Sequence, residues 1–168
     1  MGAPNPENTL AGGRANPPGI PFLYLSDDPN TAISEIRPWK GAVVSVATFR
    51  VINELKLVDL TSTAKIEDPF IYGENLGFAL EEKELLMNLG RELSKPIDPN
   101  MTSIDYVPTQ YLTELIRTQG YDGIIYPSAL GKNGTKNIVL FSERNVECQD
   151  VTIYEVDDIN VIAFRKYT

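Results

Sequence analysis

The 168-residue sequence contains no histidine. That absence removes the usual general base, the zinc-binding H-E-x-x-H helix and every Ser-His-Asp or Cys-His arrangement. An enzyme built on this chain must work with carboxylates, hydroxyls and arginines. Cysteine is nearly absent too: Cys148 stands alone and cannot close an internal disulfide. No basic, apolar leader with a small-residue cleavage site opens the chain, so a reducing cytoplasm is the expected compartment. The simplest role for Cys148 is a half-buried structural thiol. No apolar run approaches the roughly 20 residues of a membrane helix, and a soluble protein without membrane contact is expected. Also missing are a G-x-x-x-x-G-K-[ST] phosphate loop, a strand followed by G-x-G-x-x-G, a calcium loop and any Cys/His metal cluster. Kinases, dehydrogenases and zinc enzymes are set aside, and no metal is expected. Positive charge is short as well. Fifteen Lys and Arg against 23 Asp and Glu give a net charge of −8, which argues against direct nucleic-acid binding and suits a basic partner protein better.

What is present is globular: 42% hydrophobic and 23% charged residues in a length that buries a core without staples. Residues 1–11 are polar and rich in Pro and Asn, a flexible arm or linker, and residues 12–168 read as one domain. The domain opens on G-G-R-A-N-P-P-G-I-P-F-L-Y-L, with Glu35 ten residues further on. Three glycines and three prolines in so short a stretch can continue neither a helix nor a central strand, so turn chemistry sets its shape.

Residues 22–25 read as a buried strand. Asp27-Asp28-Pro29 supplies N-cap chemistry for a short helix that presents Ala32, Ile33 and Ile36 and ends at Pro38. Residues 42–49 and 55–60 alternate as two strands expected to lie side by side. A helical pattern covers 69–93 with Phe78, Leu80, Leu85, Leu86, Leu89 and Leu93, interrupted by three glycines. A loop is expected over 95–103. A second helix spans 109–118, with Tyr111, Leu112, Leu115 and Ile116 on one face and Gly120 as its C-terminal cap. Strands follow at 123–126, 137–141, 151–156 and 159–164. With no repeat and no regular crossovers, the fold class is α+β, a mixed and mostly antiparallel sheet core with a few helices.

Four residue types in this pattern could carry chemistry. Arg14 offers a planar fork for a pyrophosphate or carboxylate, or it is a loop arginine paired with a surface acid. Tyr24 either stacks on a flat heterocycle or fills the core. Glu35 lines a pocket or belongs to a solvated helix face, and Ser128 is a pocket residue or a turn serine after Pro127.

The run G-R-A-N-P-P-G-I-P-F-L-Y-L-S, the helix A-I-S-E-I-R-P and the later G-Y-D-G-I-I-Y-P-S with N-I-V-L-F resemble a RES domain, from about Gly12 to Phe141. The resemblance implies an ADP-ribosyltransferase-like core and cleavage of the nicotinamide–ribose bond of NAD, as in the NAD-depleting toxins of bacterial toxin–antitoxin pairs. Hydrolysis and phosphorolysis are both implied outcomes, and ADP-ribosylation of a protein is the alternative. A module that binds NAD or a partner without turnover is the third reading. Arg14, Glu35 and Ser128 match the family's catalytic residues: Arg14 for the phosphates, Glu35 for the ribose and its developing cation, Ser128 for ribose or phosphate. Tyr24 would stack near the nicotinamide, and Asn16, Arg37 and Lys40 are second-rank binding candidates. NAD enters as substrate. Implied partners are a helix-turn-helix antitoxin, an upstream domain or a second copy in a homodimer. The sequence departs from the family in one place. A strand carrying a further arginine usually precedes the G-R-x-N loop and is not found ahead of Arg14, so the chain reads as the C-terminal portion of a longer protein or as one with that strand replaced.

Overall fold

Apolar alternation sets the strands of this chain and capping chemistry sets its first helix. In chain order, β1 (Leu23–Ser26) leads into α1 (Pro29–Glu35), β2 (Val43–Val51) and β3 (Leu57–Asp59). Then come α2 (Leu76–Ser94), a 3₁₀ turn (Ser103–Tyr106), α3 (Val107–Thr118), β4 (Gly123–Pro127), β5 (Lys136–Leu140) and β6 (Val146–Glu155). The structure, a computed structural model, describes residues 2–5, 7, 9, 12–61, 75–95, 103–131 and 134–159. Residues 96–102 of the loop expected at 95–103, the start of the 69–93 helix and nearly all of the 159–164 strand lie outside the described residues.

The runs Gly-Ile-Ile-Tyr-Pro and Lys-Asn-Ile-Val-Leu bury side chains on both faces and so occupy the middle of a four-stranded sheet of order β1-β5-β4-β3. β1, β5 and β4 are antiparallel, and β3 joins β4 in parallel. One face carries Ile124, Tyr126 and Val139 under Leu86, Leu89 and Leu93 of α2 and Leu112 and Ile116 of α3. The other carries Leu23 and Leu140 with Leu25, Leu57 and Ile138, covered by Phe49 of β2 and Val146 at the start of β6. The result is a layer of helices, a mixed sheet and a two-stranded ribbon, which is an α+β fold. Cys148 lies half-buried on β6 as a free thiol.

β2 and β3 are not neighbours, contrary to the sequence expectation. β2 is nine residues long and pairs with β6 along its whole length, from Val43↔Glu155 to Val51↔Val146. The three-residue β3 could satisfy only a fraction of that ladder, and it is instead drawn to β4, where Lys56 N donates to Asp122 Oδ2 at 2.8 Å. The helix faces also differ from a count of apolar residues. Leu112 and Ile116 point inward, but Tyr111 and Leu115 are exposed, and the buried residues of α3 are Thr109 and Thr113. Threonine can take those places because each hydroxyl finds a carbonyl: Thr113 Oγ1 donates to Thr109 O at 2.7 Å, and Thr109 Oγ1 to Arg14 O at 2.7 Å.

Gly90 shows packing overruling helix propensity. It lies inside α2, where alanine would ordinarily favour the helix by about 1 kcal/mol. A Cβ there would meet the carbonyl oxygen of Leu60 at 2.6 Å, a backbone atom that cannot swing aside. Gly90→Ala is therefore expected to destabilise the protein by about 1–3 kcal/mol, read from urea unfolding midpoints. A variant as stable as the wild type would show that α2 and β3 separate at little cost.

Candidate active site

The Gly/Pro loop is closed on itself before anything else touches it. Gly12 adopts φ +65° and Gly19 φ +81°, both in the left-handed region glycine tolerates, and both donate their N–H to Thr9 O at 3.0 Å. Asn16, only 3% exposed, is the hub. Its Nδ2 donates to Ile20 O at 2.7 Å, and its Oδ1 accepts from the Tyr24 hydroxyl at 2.6 Å. That hydroxyl in turn accepts from Ala15 N at 3.3 Å. Gly13 must lack a side chain here, since a Cβ would stand 2.5 Å from Asn16 Oδ1 and 2.7 Å from the Tyr24 oxygen. The helices then clasp the loop. Thr109 and Gln110, in the first turn of α3, donate to Arg14 O and Gly13 O, each at 2.7 Å. Arg14 Nη1 donates to Leu93 O, in the last turn of α2, at 2.6 Å.

Glu35 arrives from a different direction, as the last residue of α1. The Asp28 carboxylate caps that helix by accepting from Thr31 N at 2.8 Å, with Pro29 at the first helical position, as the sequence predicts. Thr31, one turn before Glu35, packs against Gly131, where a Cβ would approach Thr31 Oγ1 to 2.5 Å. This close approach brings the 128–131 turn under the carboxylate. Ser128 Oγ donates to Glu35 Oε1 at 2.9 Å while accepting from Leu130 N at 3.2 Å and Gly131 N at 3.0 Å. An ionised carboxylate only accepts, so the single hydroxyl proton of Ser128 is committed to Glu35. A second donor, Asn137 Nδ2, reaches the same oxygen at 2.6 Å.

Tyr126 joins the two groups. Burial first, and then the proximity of Tyr24 and of Glu35, push its phenol up, against the opposing effect of Arg14 and a hydrogen bond with Asn137. Arg14, Asn16, Tyr24, Glu35 and Ser128 thus converge around the end of β1, β5 and β4. Arg37, at φ +49°, and Lys40 are exposed beyond the end of α1. Sequence reading missed Tyr126 and Asn137. The available signal was a polar residue at one end of each apolar run, Tyr126 closing G-I-I-Y and Asn137 opening N-I-V-L-F, where a buried polar group needs a partner. Among the described residues no group of three or more acidic or cysteine side chains could hold a metal ion. A cavity of about 610 Å³ lies on the other face of the sheet, between Leu25, Leu57, Ile138, the β2–β6 ribbon and α1, away from the Glu35–Ser128 contact.

Tyr24 keeps 44% of its surface exposed although its hydroxyl is enclosed by Asn16 and Ala15, so the free surface is that of the ring. Burial raises this phenol to about 12, against the Ala15 hydrogen bond and the Arg14 charge, which lower it. Folding therefore favours the neutral phenol. The stabilisation is complete below about 10, the ordinary tyrosine value, and is lost as pH rises through about 12. Tyr24→Phe leaves the buried Asn16 acceptor unpaired and is expected to cost about 1–3 kcal/mol at neutral pH. The difference from wild type should shrink between pH 10 and 12 in thermal melts; a constant difference would refute the role of the hydroxyl.

The chain matches the family model described as RES domain over residues 2–161. Comparison with curated proteins and with solved structures finds no match. No helix among the described residues is long and apolar enough to cross a membrane. RES domains are linked to NAD-related toxin function and act on NAD. Nearly the whole length of the chain is matched, and it belongs to the RES domain family.

Proposed function

We propose that this protein cleaves the nicotinamide–ribose bond of NAD and passes the ADP-ribosyl group to water or phosphate. The observation that carries the reading is the tethered carboxylate of Glu35, held through Oε1 by Ser128 and Asn137. The bond from ribose C1′ to the pyridinium nitrogen breaks with its electron pair going to nitrogen. Nicotinamide departs neutral, and water forms the new C–O bond and releases a proton. Ordinary glycosidases need a second carboxyl group to protonate an oxygen leaving group. A neutral leaving group needs none, so a chain without histidine lacks nothing for this step.

Each residue then has a stated part. Glu35 faces the ribose and the positive charge that grows on it, an interaction stronger in the transition state than in the ground state. Ser128 acts through Glu35, because its proton is already given to Oε1. The exposed Tyr24 ring supplies a stacking surface for the nicotinamide. Arg14 spends one N–H on Leu93 O and has others for the pyrophosphate. Asn16 holds Tyr24 and the loop, and Arg37 and Lys40 are outlying cations for the phosphates. An enzyme that drains NAD harms its own cell, which fits a toxin or defence effector of the cytoplasm restrained by a partner. A helix-turn-helix antitoxin, an upstream domain or a second copy of the chain are the candidates.

Glu35→Gln should lower the release of nicotinamide at least a hundredfold, a loss of about 3 kcal/mol in transition-state stabilisation. Binding of NAD by calorimetry should stay within a few-fold. Wild-type protein that liberates no nicotinamide, with or without phosphate, would defeat the reading in favour of a non-catalytic module. Labelled NAD whose label ends on protein in a lysate, not on free ADP-ribose or its phosphate, would identify a protein ADP-ribosyltransferase.

A further inference from the structure

Asn137 is a polar side chain only 5% exposed, in the second position of a strand whose other residues are largely apolar. Such a group stays buried only with both ends of its amide satisfied. Its Nδ2 donates to Glu35 Oε1 at 2.6 Å, and its Oδ1 accepts from Ser26 Oγ at 2.6 Å. The partners fix which way round the amide sits. Reversed, the amide oxygen would face a carboxylate oxygen that has no proton to give. Register adds a second constraint. Ser26, Asn137 and Tyr126 are direct cross-strand partners on β1, β5 and β4, a row of three polar side chains across the sheet. Tyr126 flanks Asn137 on the β4 side, as its direct cross-strand neighbour. Ser128, the other donor to Glu35 Oε1, comes from a turn, whereas Asn137 is held by ladders on both sides.

We propose that Asn137 is a positioning residue for Glu35: anchored by Ser26 and by its place between β1 and β4, it ties Oε1 to the rigid sheet and so turns Oε2 toward the ligand. Two donors on one oxygen fix the rotation of the carboxylate as well as its location, where the Ser128 bond alone would leave it free to pivot. The assignment rests on the NAD-cleavage reading for the identity of the ligand, but the tie itself does not.

Asn137→Asp tests this with little change in shape. It keeps an acceptor for Ser26 and replaces the donor with a second carboxylate against Oε1. At pH 8 the turnover of NAD should fall at least thirtyfold, with KM within about threefold of wild type. As the pH is lowered to 5.5 the two carboxyl groups can share one proton. The pair then regains the single negative charge and the hydrogen bond of the wild type, and activity relative to wild type at the same pH should recover at least tenfold. The surrounding ionisable groups are Tyr24 and Asp27 by β1, Tyr126 on β4, Lys136 on β5 and Arg14 of the loop. Both proteins share them, so the ratio isolates the introduced carboxyl. A purely structural role would give no recovery at low pH. A variant within threefold of an active wild type at pH 8, or a loss that pH does not relieve, would overturn the proposal and leave the NAD reading standing. Should Asn137→Asp fail to fold, Ser26→Ala decides. Release of the amide oxygen should cost about five- to tenfold in turnover at unchanged KM, and an effect under twofold overturns the proposal. If the wild type releases no nicotinamide, the NAD reading falls and the tie is read by NMR. The Asn137 side-chain amide signals should move on Glu35→Gln, and signals that stay in place overturn it.

Discussion

The arrangement of this protein depends on one carboxylate oxygen. Glu35 Oε1 accepts from Ser128 and from Asn137, which stand 93 and 102 residues away in the chain. For those donors to meet, α1 must end where β5 begins and where the turn after β4 doubles back. The Asp28 cap, the Thr31–Gly131 approach and the β4–β5 register each satisfy part of that demand. Burying so much polarity is tolerable because, among the described residues, every buried side-chain nitrogen or oxygen has a partner. An unpaired member would cost the full penalty of desolvation, so the network stands or falls together.

The same two central strands serve as core and as site. Toward one end of the face under the helices lie Ile124 and Val139, both fully buried and apolar. Tyr126, two residues after Ile124, and Asn137, two before Val139 on the antiparallel strand, carry the polar row. The helices that cover the apolar part also grip the loop, through Leu93 O at the end of α2 and through Thr109 and Gln110 at the start of α3. Disturbing that packing would move Arg14 and Tyr24 along with the core. Site geometry and stability are therefore coupled through named hydrogen bonds.

Local chemistry was readable from the residues. The Gly/Pro loop, the Asp28-Pro29 start of α1 and the runs that became β1, β4 and β5 all follow from turn, cap and alternation rules. Longer-range choices were not. The pairing of β2 with β6, instead of β3, is decided by matching ladder length across about a hundred residues, which no local pattern encodes. The inward face of α3 was misread because hydropathy ranks Tyr111 and Leu115 above Thr109 and Thr113, whereas burial here rewards hydroxyls that can reach a carbonyl. For the site, spacing alone could not join Glu35 to Ser128; the family resemblance named those positions. Tyr126 and Asn137 escaped even so, since each looks from its neighbours like one more residue of a buried strand.

The charges of the cluster give the arrangement its chemical sense. Tyr24 and Tyr126 are both kept protonated by burial, so neither phenol adds charge at working pH. What remains in the cluster are the permanent cation of Arg14 and the carboxylate of Glu35, with Tyr126 close to both and Tyr24 close to Arg14. A ligand that suits such a pair is anionic at one part and becomes cationic at another as it reacts. NAD has that character on the proposed reading: a pyrophosphate for Arg14, and a ribose that turns positive as nicotinamide leaves. The chain as a whole, at −8, repels such a ligand, so attraction must be local and the guanidinium must be held where it counts. The bond from Arg14 to Leu93 O does this at the expense of one donor, and the loop glycines allow the backbone to come close enough for it. A carboxylate needs the opposite care. On the proposed reading, the two donors on Oε1 hold it toward the charge that appears only during the reaction.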